Sequence, residues 1–238
     1  MRDVQDWIQV LNRKLLGEFK DRLLFTGLQG SYRRGEATDL SDIDVMVVLD
    51  RLEIADLQRY REIIAAMPES EKACGFICGR EQLSGWPKYE LFQLERETQS
   101  VYGNIAEILP PATPADIDDS IRIAAANLYH EVCHRYLYDR EADRVKNLAF
   151  AYKSAFFLLK LLHYRRCGVY YLTKKQLFPH LFGTEQEILQ INMDWQSGQG
   201  SGRNNPDRYF QLMISWTGDI LAEMNRDPKS EYDCQHMY

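Results

Sequence analysis

The feature that most constrains this chain is a pair of aspartates, Asp42 and Asp44, at the head of the apolar run 45–49. A continuous apolar run of this length is typical of a strand that is buried on both faces. Because side chains alternate along a strand, the two carboxylates share one face, about 7 Å apart along the backbone. Like charges beside a buried strand need a cation, since unpaired charge is costly to remove from water. We therefore predict a divalent-cation site at the start of this strand.

A glycine-serine pair, Gly30 and Ser31, lies just upstream, with ten residues between Ser31 and Asp42. The run 23–29 predicts a strand that ends in this turn, and 32–35 predicts a helical turn or loop. A small residue at such a turn lets backbone N–H groups and the serine hydroxyl approach an anion closely. Oxygen ligands suit Mg²⁺, which takes its remaining ligands from substrate phosphates. The predicted substrate is therefore a nucleoside triphosphate with its metal.

The same residues carry a resemblance to a known family. Gly30-Ser31, Arg34-Gly35 and Ser41-Asp42-Ile43-Asp44 resemble the signature of the DNA polymerase β-like nucleotidyltransferase superfamily. The layout is most similar to that of kanamycin-type and streptomycin-type aminoglycoside nucleotidyltransferases. This resemblance implies an α+β fold, in which a small mixed-sheet catalytic domain faces an all-α helical bundle across the substrate cleft.

The family usually has a third carboxylate on a later strand. The resemblance assigns this role to Glu90, in a predicted strand that runs from Tyr89 to Leu94. Glu95 and Glu81 are alternatives, although their neighbours are charged or turn-like. With Asp42 and Asp44 as metal ligands, Glu90 either completes the metal site or takes the proton of the attacking hydroxyl.

The resemblance also implies residues that bind the nucleotide. Ser31 and the Gly30 turn would seat the terminal phosphates, and Arg34 would add positive charge. The remaining candidates for nucleotide binding are Ser41, Lys153 and Lys174. Lys146, Lys153 and Lys160 follow one another at heptad spacing and form a stripe on one helix. A solvated helix edge explains Lys146 and Lys160, whereas for Lys153 a phosphate contact is an equal alternative.

The implied activity is Mg²⁺-dependent transfer of a nucleoside monophosphate, AMP from ATP, to a hydroxyl of a small molecule such as an aminoglycoside, with two metal ions. Acidic residues near the interdomain hinge would suit a polycationic acceptor, and they are Glu107, Asp116, Asp118 and Asp119. One alternative is nucleotidylylation of a protein partner, of a toxin-antitoxin or regulatory type. Another is a catalytically silent module that binds nucleotide. The resemblance also allows a homodimer.

Three prolines between positions 110 and 114 interrupt any regular structure and predict a domain boundary. We predict a catalytic domain over residues 1–110 and a helical bundle over residues 114–238. The first begins with an amphipathic helix. The second carries helical periodicity over 115–139, 143–164, 184–195 and 206–225.

The composition and net charge limit the partners and the compartment that we expect for this protein. The 238 residues carry a net charge of −6, which argues against a nucleic-acid partner, because a groove that follows a phosphate backbone needs clustered Lys and Arg. The five cysteines show neither a disulfide framework nor a paired Cys-x-x-Cys metal spacing. With no membrane span and no signal peptide in the sequence, we expect a cytoplasmic protein that contacts no membrane.

Two further motifs favour a structural explanation. His130 and His134 have the His-Glu-x-x-His spacing of a zinc site, but the apolar stripe of the same helix lies opposite them. The segment 197–203 has alternating glycines, yet no strand precedes it, as one would in a phosphate-binding loop. We interpret the histidines as surface or interdomain residues and the glycine segment as a connector.

Overall fold

The computed structural model describes residues 3–197 and 205–226. The chain forms two compact units, which divide between Ala112 and Thr113, inside the proline-rich segment. The N-terminal unit contains a sheet and helices, and the second, here called the helical unit, contains only helices among its described residues. The predicted α+β class is therefore confirmed.

The N-terminal unit has nine main elements in chain order. They are α1 (Val4–Phe19), β1 (Leu23–Leu28), α2 (Gly30–Arg34), β2 (Ile43–Leu49), α3 (Ile54–Ala65), β3 (Ala73–Gly79), α4 (Arg80–Ser84), α5 (Lys88–Glu97) and β4 (Gln99–Tyr102). The four strands form one mixed sheet in the order β3-β2-β1-β4. β1 is antiparallel to both of its neighbours, whereas β2 and β3 are parallel and are joined through α3.

Strand β2 is buried on both faces, as its sequence predicts. Val45 and Val47 pack into one cluster with residues of α1, and Met46 and Val48 pack into a second with residues of α4 and α5. The predicted amphipathic helix is α1, whose buried positions recur at helical spacing. Strand β2 is thus covered by helices on either side, and Asp44 is its only residue that is not fully buried.

The predicted strand from Tyr89 to Leu94 is wrong, because this segment lies in helix α5. Its buried residues, Leu91 and Phe92, are adjacent in sequence, and Leu94 packs on the same cluster three positions after Leu91. That spacing is helical, and Leu, Glu, Gln and Lys are helix formers. A window of six residues is too short to separate the two periods. The strand begins later, at Gln99, after α5 has ended.

The helical unit contains α6 (Pro114–Tyr138), α7 (Glu141–Cys167), α8 (Lys174–Leu177), α9 (Gly183–Gln196) and α10 (Pro206–Asn225). The four predicted helices are confirmed within a few residues at each end. Helix α6 begins with a capping box between Thr113 and Asp116 and has proline at its first turn. Helix α7 ends at Gly168, whose φ of +71° is the left-handed conformation typical of a helix terminus.

Within the described ranges, no helix is long and apolar enough to cross a membrane. The four cysteines at described positions are free thiols: Cys74, Cys78, Cys133 and Cys167. Burial raises the pKa of the Cys78 thiol to about 11, so at neutral pH this side chain is protonated and packs as a small apolar group.

Candidate active site

Gly30 lies against the carboxylate of Asp44, at the junction of β1 and α2. Its φ of +66° is in the left-handed region, where other residues are strained. A Cβ at this position would lie 2.8 Å from Asp44 Cγ and nearer still to Oδ2. The N–H of Gln29 donates to the Asp44 carbonyl at 2.8 Å, which fixes the turn beside the start of β2. Glycine is therefore required on two independent grounds, conformation and space.

The two aspartates occupy the predicted positions at the head of β2. Asp42 is exposed and precedes the first residue of the strand, and Asp44 is the second residue and is half-buried. Ser31 is the second residue of α2 and is also half-buried. Ser41 has a local structural role, since its Oγ accepts from the Thr38 N–H at 2.9 Å and closes the turn before Asp42. The Gly-Ser turn and Asp42 thus lie in the short connection between β1 and β2, and Asp44 lies at the start of β2.

Arg34 lies between two carboxylates. Its side chain is 8% exposed, and its Nε donates to Glu36 Oε2 at 3.2 Å while Nη1 donates to Glu97 Oε2 at 3.3 Å. The sequence predicted a phosphate contact for this guanidinium. In the structure, two of its three nitrogens instead donate to acidic side chains of the same unit.

Glu90 lies in the first turn of α5 with an exposed side chain. Its predicted role depended on a buried position in a strand, whereas the structure places Glu90 at an exposed position in a helix. The alternatives Glu95 and Glu81 are also helical, in α5 and α4. A sequence window that is apolar on both sides of an acid is therefore not sufficient to identify a buried carboxylate.

Glu97, the last residue of α5, is the carboxylate that the structure brings to the Gly-Ser turn. It is 8% exposed. The chain that follows it pairs with β1, because Leu28 is the register partner of Gln99 and Gln29 Nε2 donates to Thr98 Oγ1 at 2.7 Å. The sequence contained a weak signal for this strand: the run 98–102 contains Thr98, Val101 and Tyr102, and Gly103 follows it. Extension of that strand backwards would have led to Glu97.

The other side of β2 provides no third carboxylate. In the parallel register Asp44 pairs with Cys74, which is exposed, and β3 contains no acidic residue. Among the described residues, no group of three or more His, Cys, Asp or Glu side chains is arranged to hold a metal ion. Asp42 and Asp44 nevertheless fit Mg²⁺, since this ion commonly takes one or two protein carboxylates and completes its shell with phosphates and water. The absence of a side chain at Gly30 leaves room for the Asp44 carboxylate itself, which a Cβ at that position would displace.

Among the described residues of the helical unit, two lysines are buried, and only one of them was a predicted site residue. Lys160 is fully buried, with Nζ 4.1 Å from the centroid of the Phe156 ring. Lys174, the first residue of α8, is 7% exposed, and its Nζ lies 4.6 Å from the same centroid. Phe157 and Tyr170 also face the Lys160 ammonium, at 5.0 and 5.6 Å.

The predicted lysine stripe divides along α7. Lys146 and Lys153 are exposed, whereas Lys160 is buried, so the prediction of a solvated edge is wrong for Lys160. A heptad falls about 20° short of two helical turns, and this offset accumulates from one lysine to the next. Spacing alone therefore identified the stripe and not the member of it that points inward.

The two motifs that we explained structurally differ in outcome. His130 and His134 are exposed on α6, with ring centroids 6.1 Å apart, while Leu128 and Val132 on the opposite side are buried. This agrees with the interpretation of surface histidines. The glycine segment lies, apart from its first residue, outside the described residues.

Residues 13–105 match the family model of the nucleotidyltransferase domain. The matched range includes the Gly-Ser turn, both aspartates and β4. This segment is a nucleotidyltransferase domain. The predicted resemblance is thereby confirmed for the N-terminal unit, and with it the prediction that the chain is an enzyme of this class.

The fold is also similar to that of a solved structure, the spectinomycin adenyltransferase of Enterococcus faecialis, crystallised with ATP and spectinomycin. The TM-score is 0.57 at 16% sequence identity, and the comparison covers 91% of this chain and 98% of that chain. At this identity the similarity establishes a common fold. None of the curated proteins matches the sequence.

Proposed function

We propose that the protein transfers AMP from ATP, with Mg²⁺, to a hydroxyl group of a small aminoglycoside-like acceptor. The observation that carries this proposal is the Gly30 turn, held against the Asp44 carboxylate within a nucleotidyltransferase domain. The ATP and spectinomycin in the similar adenyltransferase support the choice of nucleotide and of acceptor class.

In the proposed reaction, the acceptor hydroxyl attacks the α-phosphorus of ATP. A new P–O bond forms, the bond to pyrophosphate breaks, and the hydroxyl proton passes to a general base. Asp42 and Asp44 would hold Mg²⁺, which when bound offsets negative charge on the attacking and leaving oxygens. Ser31 and the N–H groups of the Gly30 turn bind the terminal phosphates. The protein's contribution is then mainly positioning and electrostatic stabilisation.

We assign the third carboxylate to Glu97 in place of Glu90. Two features support this choice: Glu97 is nearly buried, and the segment that follows it pairs with the strand that ends in the Gly30 turn. Neighbouring strands lie about 4.8 Å apart, so Thr98 is about 10 Å from Asp44 across β1. A glutamate side chain beside Thr98 is long enough to approach a substrate that contacts Asp44.

Lys174 stays a predicted nucleotide-binding residue. Its ammonium group and that of Lys160 are buried and face the Phe156 ring, an environment that favours a cation. Lys153 is exposed, and its surroundings add no support to its predicted role.

The acidic residues near the hinge do not add support for a cationic acceptor. Asp118 forms an ion pair with Arg165, Asp119 pairs with Arg122, and Asp116 belongs to the capping box of α6. These contacts explain them as structural residues. The proposed acceptor class therefore rests on the fold comparison, and the protein-acceptor and silent-module alternatives are outcomes of the same experiment.

The test uses ATP labelled at the α-phosphate, with Mg²⁺, offered to a panel of aminoglycosides that includes spectinomycin, and separately to cell lysate. The proposal predicts a labelled small molecule and release of pyrophosphate, both lost in Asp44→Asn. Label on a protein band would contradict the small-molecule acceptor and indicate nucleotidylylation of a protein instead. Nucleotide binding by calorimetry without turnover on any acceptor would contradict the proposal and indicate a silent module.

A further inference from the structure

We propose that Arg34 is a positioning residue, which holds the Glu97 carboxylate beside the Gly30 turn, and not a ligand of the nucleotide phosphates. This inference rests on the proposed function. It concerns the Arg-Gly pair that follows the Gly-Ser turn, for which the sequence suggested a phosphate contact.

The guanidinium of Arg34 lies between two carboxylates. It is nearly buried and donates through separate nitrogens to Glu36 and Glu97, both of which are also largely buried. One cation and two carboxylates leave this trio with a net negative charge. A phosphate that approached the guanidinium would have to displace a carboxylate or lie beside two of them, and like charges at that distance repel.

The ion pair between Arg34 and Glu97 belongs to a set of contacts between the same two segments. Gln29 Nε2 donates to Thr98 Oγ1 at 2.7 Å, and Arg33 Nη2 donates to the carbonyl of Arg96 at 3.1 Å. Residues 29–34 carry the Gly-Ser turn, and residues 96–98 carry Glu97. The contacts therefore fix the third carboxylate relative to the turn that abuts Asp44.

Arginine suits this task because its planar fork presents donors in two directions at once. A lysine at the same position offers one compact charge on a flexible stem and cannot satisfy both carboxylates with the same geometry. Without the guanidinium, Glu36 and Glu97 would repel each other, and the Glu97 side chain would turn toward water. A displaced carboxylate affects the rate of transfer, because catalytic groups act only near their productive position.

The test is a double-mutant cycle that joins Arg34→Met and Glu97→Gln, with Arg34→Lys as a milder variant and Glu36→Gln as the matched control. We expect Arg34→Met to lower kcat by about 10- to 100-fold and to change the KM for ATP by less than about threefold. In the Glu97→Gln background, Arg34→Met should lower kcat by less than about threefold further. Glu36→Gln should stay within about twofold of wild type.

Two outcomes would overturn the proposal. One is a rise of about tenfold or more in the KM for ATP with kcat unchanged, which would make Arg34 a phosphate ligand. The other is multiplication of the single effects in the double variant, which would mean that Arg34 does not act through Glu97. Thermal melts report folding, and if Arg34→Met does not fold, Arg34→Lys takes its place in the cycle with a smaller expected loss.

Calorimetry with ATP and Mg²⁺, without acceptor, separates this proposal from the proposed function. A wild-type protein that shows no turnover on any acceptor would contradict the proposed function alone. In that case, an ATP affinity of Arg34→Met within about threefold of wild type supports the proposal that Arg34 does not bind the nucleotide phosphates. A loss of about tenfold or more overturns it.

Discussion

The carboxylates of the N-terminal unit and the buried lysines of the helical unit are held in opposite ways. In the N-terminal unit, Asp42 and Asp44 lie at the end of a strand near the surface, and their positions are set by backbone register and by one glycine. In the helical unit, Lys160 and Lys174 are buried and surround an aromatic ring. The first arrangement can be disturbed by a single Cβ, whereas the second depends on the packing of distant side chains.

This difference shows what determines the positions of the charged groups in each unit. The Gly30 turn and Asp42 lie in the connection between β1 and β2, and Asp44 lies at the start of β2, so a few backbone hydrogen bonds determine their separation. The lysines come from α7 and from the start of α8, and tertiary packing alone brings them to one ring. Substitutions of single residues in the connection should therefore have large local effects, whereas the positions of the lysines depend on the packing of the whole helical unit.

The largest effect is expected for Asp44→Asn. The change removes a charged metal ligand but keeps the shape of the side chain, so turnover should fall by about 10³-fold or more with the fold intact. Steady-state transfer and a thermal melt measure the two quantities. Asp39→Asn, an exposed acid in the same connection, is the control and should behave as wild type. Turnover retained in Asp44→Asn would contradict the metal-site assignment.

Gly30→Val should follow, with turnover reduced by about 100-fold. The new Cβ would meet the Asp44 carboxylate, and the left-handed φ would be strained. Calorimetry with ATP should also show weaker binding. Gly35→Ala is the matched control, because Gly35 shares the left-handed φ but has open space around its Cβ position. Equal effects of the two substitutions would show that conformation alone, and not the contact with Asp44, matters at Gly30.

The sequence predicted the N-terminal site better than the helical one for the same physical reason. A glycine, a serine and two aspartates lie within fifteen positions and encode local geometry, and the structure places them between the end of β1 and the start of β2, with Gly30 against Asp44. The one sequence signal for Glu97 is the strand that follows it, and the sequence around Lys160 does not mark this lysine as buried. Glu97 acquires its place from the pairing of β4 with β1, and Lys160 from the rotation of a long helix. Both depend on contacts between residues that are far apart in sequence.

Asp56 is paired with Arg22 and is not one of the candidate site residues, so its substitution should affect stability and not catalysis. Asp56 accepts from both terminal nitrogens of Arg22 at 2.8 Å, and this pairing lowers the pKa of the Asp56 carboxyl. Asp56→Asn should cost about 2 kcal/mol of unfolding free energy at pH 7. A depressed pKa stabilises the fold above the ordinary aspartate range, and this stabilisation is lost as pH falls through the folded value. Denaturant melts should therefore show the difference between variant and wild type shrinking below about pH 4.

Lys174→Met should weaken ATP binding by about tenfold with little change in melting temperature. The change removes the charge of the predicted nucleotide-binding residue, and methionine fills a similar volume beside the Phe156 ring. Lys153→Met removes an equal charge from an exposed position of α7 and should leave affinity within about twofold. Calorimetry on the two variants measures the contrast. Equal affinities would remove Lys174 from the proposed nucleotide site and leave it as a packing residue.

The smallest effect is expected for Glu90→Gln, because Glu90 is exposed on α5. Turnover should remain within about twofold of wild type, whereas Glu97→Gln should lower it by about 100-fold. Initial rates at saturating ATP compare the two. If turnover falls as much in Glu90→Gln as in Glu97→Gln, the role of third carboxylate returns to Glu90.

The short connection between β1 and β2 has a consequence for how the molecule folds. These strands are joined by residues 29–42, whereas β4 reaches β1 only after some 70 further residues, and β3 needs the crossover through α3. Closing a short loop costs less chain entropy, so contacts of low sequence separation form early. We expect the turn and its aspartates to assemble with the first antiparallel pair. A substitution that strains the backbone at position 30 would then slow folding more than it speeds unfolding. The glycine that the candidate active site requires would therefore also set how fast the newly made chain folds.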